Sequence, residues 1–188
     1  MEEKFLKDYF QKFISLINFD KDTIKKLLEV KEIFLSTKKR NKKGIIFGNG
    51  GSAAIASHFS VDLTKNAKVR CVNFNESDLL TCFSNDFGYE HWVEKSIDYY
   101  ADEGDAIVLI SASGESKNMI NAVKAAKSKN IKNIITLTGN SKNNSLSKLG
   151  SINFWVDSKA YNHIENVHQI LLLSVVDLII GKSEYKPN

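Results

Sequence analysis

Short apolar runs rich in β-branched residues alternate along this chain with longer segments of helical period. The runs are 44–47 (GIIF), 68–74 (KVRCVNF), 105–110 (DAIVLI), 133–137 (NIITL) and 152–156 (INFWV). Residues 52–64, 77–83, 89–101, 116–128 and 141–148, lying between them, carry the spacing of helices. Two further helices, 1–18 and 20–41, precede the first run, and a last one extends from about residue 159 to 180. Strands separated by helices need crossover connections, which make their pairing parallel. A run such as IVLI is apolar on both sides, as a strand covered on both faces must be. The pattern predicts a three-layer α/β sandwich around a parallel sheet, preceded by two N-terminal helices.

At 188 residues the chain suits one domain, and 43% hydrophobic content is enough to fill one core. Its single proline, Pro187, sits at the tail, so no Pro-rich linker divides it. The reading is one domain over 1–188, with 1–41 as N-terminal helices used in oligomerisation and 42–188 as the α/β core. The net charge of +4 is spread along the sequence. Its densest basic run, Lys38-Lys39-Arg40-Asn41-Lys42-Lys43, has no interleaved aromatic residue. It reads as a solvated helix end and not as a nucleic-acid contact. Cys71 and Cys82 form no CxxC motif and no paired framework, which fits a reducing cytoplasm. The opening MEEKFLKDYF mixes charges and lacks an apolar stretch, so no signal peptide is expected. The longest apolar run, near 170–180, is interrupted by Ser174 and Asp177, and no membrane span is expected.

Parallel sheets bind ligands beyond the carboxyl ends of their strands. Three such places share a character here: Gly48-Asn49-Gly50-Gly51-Ser52 after the first run, Ser111-Ala112-Ser113-Gly114-Glu115-Ser116 after the third, and Thr138-Gly139-Asn140-Ser141 after the fourth. Glycine admits close backbone approach, helix N-termini suit phosphate, and serine adds donors without bulk. The alternative is ordinary helix capping, for which serine is a preferred residue. Three loops at one sheet edge favour phosphate, and the serines 111, 113 and 116 most of all. The glycine spacing is neither GxGxxG nor a P-loop, so a monophosphorylated small molecule fits better than a nucleotide.

His58 and Asp62 lie one helical turn apart on one face. Imidazole and carboxylate at that spacing suit a shared divalent metal, an acid–base pair or a plain hydrogen bond. The last helix carries a second set, His163, Glu165 and His168.

"GNGGSAAIASHFSVDLT", "SNDFGYE", "ISASGESKN", "ITLTG" and "HIENVHQILLLSVVDLI", in that order, resemble the phosphoheptose isomerases. These are sugar isomerase (SIS) domain proteins acting on sedoheptulose 7-phosphate. The resemblance covers nearly the whole chain. It implies a flavodoxin-like five-stranded parallel sheet, a homotetramer, and a sugar-phosphate site at subunit interfaces. It implies that Ser111, Ser113 and Ser116 hold the phosphate, and that Asn49, Gly51, Ser52 and Asp86 contact the rest of the substrate. It also implies a metal, usually zinc, held by a His and a Glu after GNGGS and by a Gln and a His from the last helix. The match there is uneven. His58 fits, Asp62 stands for the glutamate, Glu165 for the glutamine, His163 for a neighbouring arginine, and Leu173 for the last histidine. Ala112 replaces a threonine. A rearranged zinc site of His58, Asp62 and Glu165, with His168 as a possible fourth ligand, is the expectation, with Asp62 and Glu165 as catalytic acids and bases. The activity implied is isomerisation of D-sedoheptulose 7-phosphate to D-glycero-D-manno-heptose 7-phosphate through an enediol. The alternatives are a non-catalytic SIS module acting through protein partners, suggested by Leu173, and an isomerase of another phosphorylated sugar.

Overall fold

The computed structural model describes residues 1–184; Pro187 lies outside them. The elements are α1 (Glu2–Ile17), α2 (Lys21–Lys39), β1 (Gly44–Phe47), α3 (Gly51–Lys65), β2 (Cys71–Val72), α4 (Ser77–Phe87), α5 (Trp92–Tyr100), β3 (Ala106–Ser111), α6 (Lys117–Ser128), β4 (Asn133–Thr138), β5 (Ile152–Trp155) and α7 (Tyr161–Ile180). All five strands are parallel, in the order β2-β1-β3-β4-β5. This is the flavodoxin-like order, and its chain direction reverses between β1 and β3. The loops after β1 and β3 therefore open on a shared crevice.

Strand alternation divides the core in two. Ile46, Val108, Ile110, Ile135, Leu137 and Phe154 face α2, α3 and α7, where Phe34 and Phe59 meet with ring centroids 5.7 Å apart. Ile45, Phe47, Ile107, Leu109 and Ile134 face α5 and α6, around the wholly buried Trp92. Both layers are thus dry, as the apolar runs predict. Trp155, at the end of β5, is only half-buried, with the Lys142 ammonium 5.7 Å from its ring centroid. At the amino ends of the strands, the fully buried Asp105 accepts the Lys43 ammonium at 2.7 Å and the Lys43 and Asp102 amides at 3.0 and 2.9 Å, joining the starts of β1 and β3.

Three readings are corrected. Residues 141–148 are not a helix; only Leu146–Lys148 form a 3₁₀ turn. There Asn144 donates to the Ser141 carbonyl at 2.7 Å and accepts from the Ser147 amide at 2.8 Å, side-chain bonds that compete with a helical ladder. The run 68–74 contributes only Cys71 and Val72 to the sheet. Beyond them Asn73 bonds Ser60 and Asn75 bonds Ala53 and Ser57, which draws the chain onto α3 and off the sheet edge. Finally, α7 does have the length and mean hydropathy (1.4) of a membrane span. Ile164, Val167, Leu171, Leu172, Val175 and Val176 bury one of its faces in the core, as a soluble core helix does.

Candidate active site

The loop after β3 gathers its serines. Ser111 Oγ lies 2.8 Å from Ser116 Oγ and 3.4 Å from Ser113 Oγ. Ser116 occupies the N-cap position of α6, yet its hydroxyl makes no capping bond. Capping would have sent that oxygen to an α6 amide. The serines instead face one another at the start of a 12-residue helix, a donor-rich place suited to an anion. Gly114 turns the loop at φ +71°, and a Cβ there would run into the Asn144 side chain. Glu115 points away from the serines: its carboxylate accepts from the Ser145 hydroxyl at 2.7 Å and amide at 2.8 Å. Those bonds hold it below the usual carboxylate range.

The loop after β1 is fastened to this one. Asn49 and the buried Asn118 of α6 exchange amide hydrogen bonds of 2.8 and 3.2 Å, and the Tyr89 hydroxyl donates to Asn49 at 3.0 Å. Ser52 is buried in the first turn of α3. Gly51 has no room for a side chain, because a Cβ would land on the Glu165 carboxylate. Glu165, from the second turn of α7, thus sits over the N-terminus of α3, where negative charge is favoured.

Helices α3 and α7 run side by side. After Glu165 over Gly51 comes Gln169, whose amide lies 3.2 Å from His58 Nδ1. His58 Nε2 lies 3.2 Å from Asp62 Oδ2. Further along, burial and the nearby Asp62 charge push the Asp177 carboxyl up. At about 1.5 Å per residue, His58 is roughly 10 Å and Asp62 roughly 16 Å from Gly51 along α3. Glu165 and Asp62 therefore do not meet within one chain.

Residues 8–139 match the SIS domain family. The phosphoheptose isomerase of Histophilus somni is 36% identical over 137 residues, 70% of this chain and 68% of that protein. That of Buchnera aphidicola is 32% identical over 173 residues, 89% of this chain and 88% of the relative. The solved phosphoheptose isomerase of Neisseria gonorrhoeae superposes with a TM-score of 0.87 at 27% identity, covering 95% of this chain and 99% of that one. This chain belongs to the phosphoheptose isomerase family of SIS domains. Membership makes it an isomerase of a phosphorylated sugar.

The zinc set expected from that family does not assemble among the described residues. No group of three or more His, Cys, Asp or Glu among them lies close enough to hold a metal ion. His58 and Asp62 supply two donors, and Glu165 stands two turns away. His168 is wholly buried and turned to the sheet, its Nε2 3.1 Å from the Thr138 carbonyl, and burial lowers its pKa to about 4. Leu173 offers no donor. His163, where the family has arginine, is buried against Tyr9 and Phe13 of α1, with a ring centroid distance of 4.3 Å to Tyr9. Within one chain, these residues do not fit the zinc centre.

Asp86 occupies the exposed last turn of α4, accepting from Asn85 at 2.9 Å. Asn118, Tyr89 and Gln169 are additions of the structure. Asn118 sits inside the quoted ISASGESKN stretch, Tyr89 inside SNDFGYE and Gln169 inside HIENVHQILLLSVVDLI, so their motifs held the signal. A cavity of about 550 Å³ opens between the α1–α2 turn and β5, lined among others by Phe19, Lys26, Lys142, Trp155 and Asp157. It includes none of the expected site residues.

Proposed function

We propose that this protein interconverts D-sedoheptulose 7-phosphate and D-glycero-D-manno-heptose 7-phosphate in the cytoplasm, supplying heptose for a lipopolysaccharide, capsule or other glycan. The observation that carries the reading is the serine cluster whose hydroxyls face one another instead of capping α6, tied through Asn49 and Asn118 to the loop beneath Glu165. In this reading Ser111, Ser113 and Ser116, with the start of α6, take the phosphate. Asn49, Ser52 and the backbone at Gly51 contact the sugar. Glu165 moves the proton between C1 and C2 through an enediol, a transfer for which a carboxylate within hydrogen-bond reach suffices. Amide and hydroxyl donors of the β1 loop stabilise the enediolate oxygen.

Asp62 lies away from Glu165 within the chain, so its role, and that of the exposed Asp86, belong to sites completed between subunits of a homotetramer. The exposed apolar stripe of α1 (Phe5, Leu6, Phe10, Ile14) supports that assembly, since no α1 residue is buried in the single chain. The changes at Asp62, Glu165 and Leu173 favour one second reading, an isomerase of a different phosphorylated sugar.

The test is turnover of sedoheptulose 7-phosphate by the wild-type protein and by Glu165→Gln. The expected loss is about 10²- to 10⁴-fold in kcat, the usual contribution of a positioned base, with sugar-phosphate binding retained. Full activity in Glu165→Gln would remove that residue from the proton transfer. Binding without turnover in the wild type would favour the other sugar or a purely binding module.

A further inference from the structure

We infer that His58 belongs to a metal-free Gln169–His58–Asp62 relay, in which Gln169 sets the imidazole tautomer that Asp62 reads. The inference rests on the family reading of this pocket, and its test does not depend on turnover. Both ring nitrogens of His58 already have partners from this chain: Asp62 Oδ2 at Nε2 and the Gln169 amide at Nδ1, each at 3.2 Å. A zinc ion needs one of those nitrogens as a lone-pair donor, together with two or three further ligands. Around His58, among the described residues of one chain, the further ligands are missing. Glu165 is committed to the Gly51 end of α3, and Leu173, one turn beyond Gln169, puts a hydrocarbon where the family's last histidine would stand. What the chain provides instead is an orienting amide.

The chemistry follows from the donors. The Gln169 side-chain N–H donates to Nδ1, so the neutral ring carries its proton on Nε2 and donates it to Asp62. Gln169 is a positioning residue in this scheme, acting on Asp62 only through His58.

Two measurements on the full-length protein test it. The first is calorimetric titration of the purified, chelator-treated protein with zinc, beside His58→Ala. The expected result is no stoichiometric binding in either. One zinc per chain, lost in His58→Ala, would overturn the inference. The second is the long-range proton–nitrogen NMR correlation of the His58 ring at a pH where it is neutral. The expected result is a proton on Nε2 in the wild type and in Asp62→Ala, where Gln169 alone holds the ring, and a mixture of tautomers in Asp62→Ala combined with Gln169→Leu. If the three proteins share one tautomer, or Asp62→Ala alone already gives the mixture, Gln169 does not set it. Loss of isomerase activity alone touches neither measurement, so the two readings fail separately.

Discussion

At Gly51 a single hydrogen atom keeps a carboxylate in place. A Cβ there would overlap Glu165, so Gly51→Ala must displace either the α3 start or the acid. Strain of that kind costs about 1–3 kcal/mol. The expected outcome is a modest fall in melting temperature together with a larger fall in kcat, read by calorimetry and by isomerase assay. The serine cluster makes a second residue-scale prediction. Ser116→Ala removes one donor to a phosphate dianion, worth about 1.5–3 kcal/mol for a bond to a charged group. The sugar-phosphate dissociation constant should rise ten- to hundredfold with α6 intact, because Ser116 does not cap that helix. A far-UV spectrum that lost helix in Ser116→Ala would restore the capping explanation.

Among the elements, α7 carries the most varied load: a core face, the Glu165 acid, the Gln169 amide and a sealed histidine. His168 is held neutral, with its pKa near 4 against 6.5 for the free side chain. Between those values the unfolded chain binds a proton that the folded chain does not, so stability falls as the pH drops from about 6.5 towards 4. The linkage amounts to about 2 kcal/mol between pH 7 and pH 5. Urea denaturation at the two pH values should show that loss in the wild type, and His168→Gln should lose the His168 share of it. Elements also mark how far the sequence could be read. The central strands were legible as continuous apolar runs, because both their faces are buried, and α7 as a long apolar segment of helical spacing. The 141–148 segment was not, because its conformation is decided by Asn144 bonding its own neighbours, which no periodicity records. The serine and glycine loops were legible as a group from their place after the strands. The separation of Glu165 from Asp62 was not, because it depends on how α7 is phased along α3.

For the whole molecule, the sheet carries the serine loop and the β1 loop beneath Glu165 at the carboxyl ends of its strands and a polar clasp at their amino ends. Asp105, Lys43 and Asp102 close that clasp, and Lys43 is raised above its ordinary value by the two carboxylates against the cost of its burial. Asp105→Ala leaves the Lys43 ammonium and two amides without their buried acceptor, and the expected loss is about 3–5 kcal/mol in urea unfolding. On the outside, the exposed apolar stripe of α1 is the contact expected for the proposed assembly. Phe10→Glu with Ile14→Glu puts charge on both exposed apolar positions. Sedimentation should show smaller species than the wild type, with an unchanged far-UV spectrum. If the variant keeps the wild-type size, α1 is not the contact.

The placing of the two tryptophans equips the chain with its own optical probes. Trp92 is shut inside the α5–α6 layer beside Phe47, at a ring distance of 5.7 Å, so its emission is insulated from solvent until that layer opens. Trp155 ends β5 in partial contact with water, under the cation of a lysine from the loop after β4. A quencher added to the folded protein therefore reaches one fluorophore and not the other. With Trp155→Phe the signal becomes a clean report of unfolding. With Trp92→Phe it follows the loop that carries Lys142, and events at the carboxyl edge of the sheet can be timed without any label.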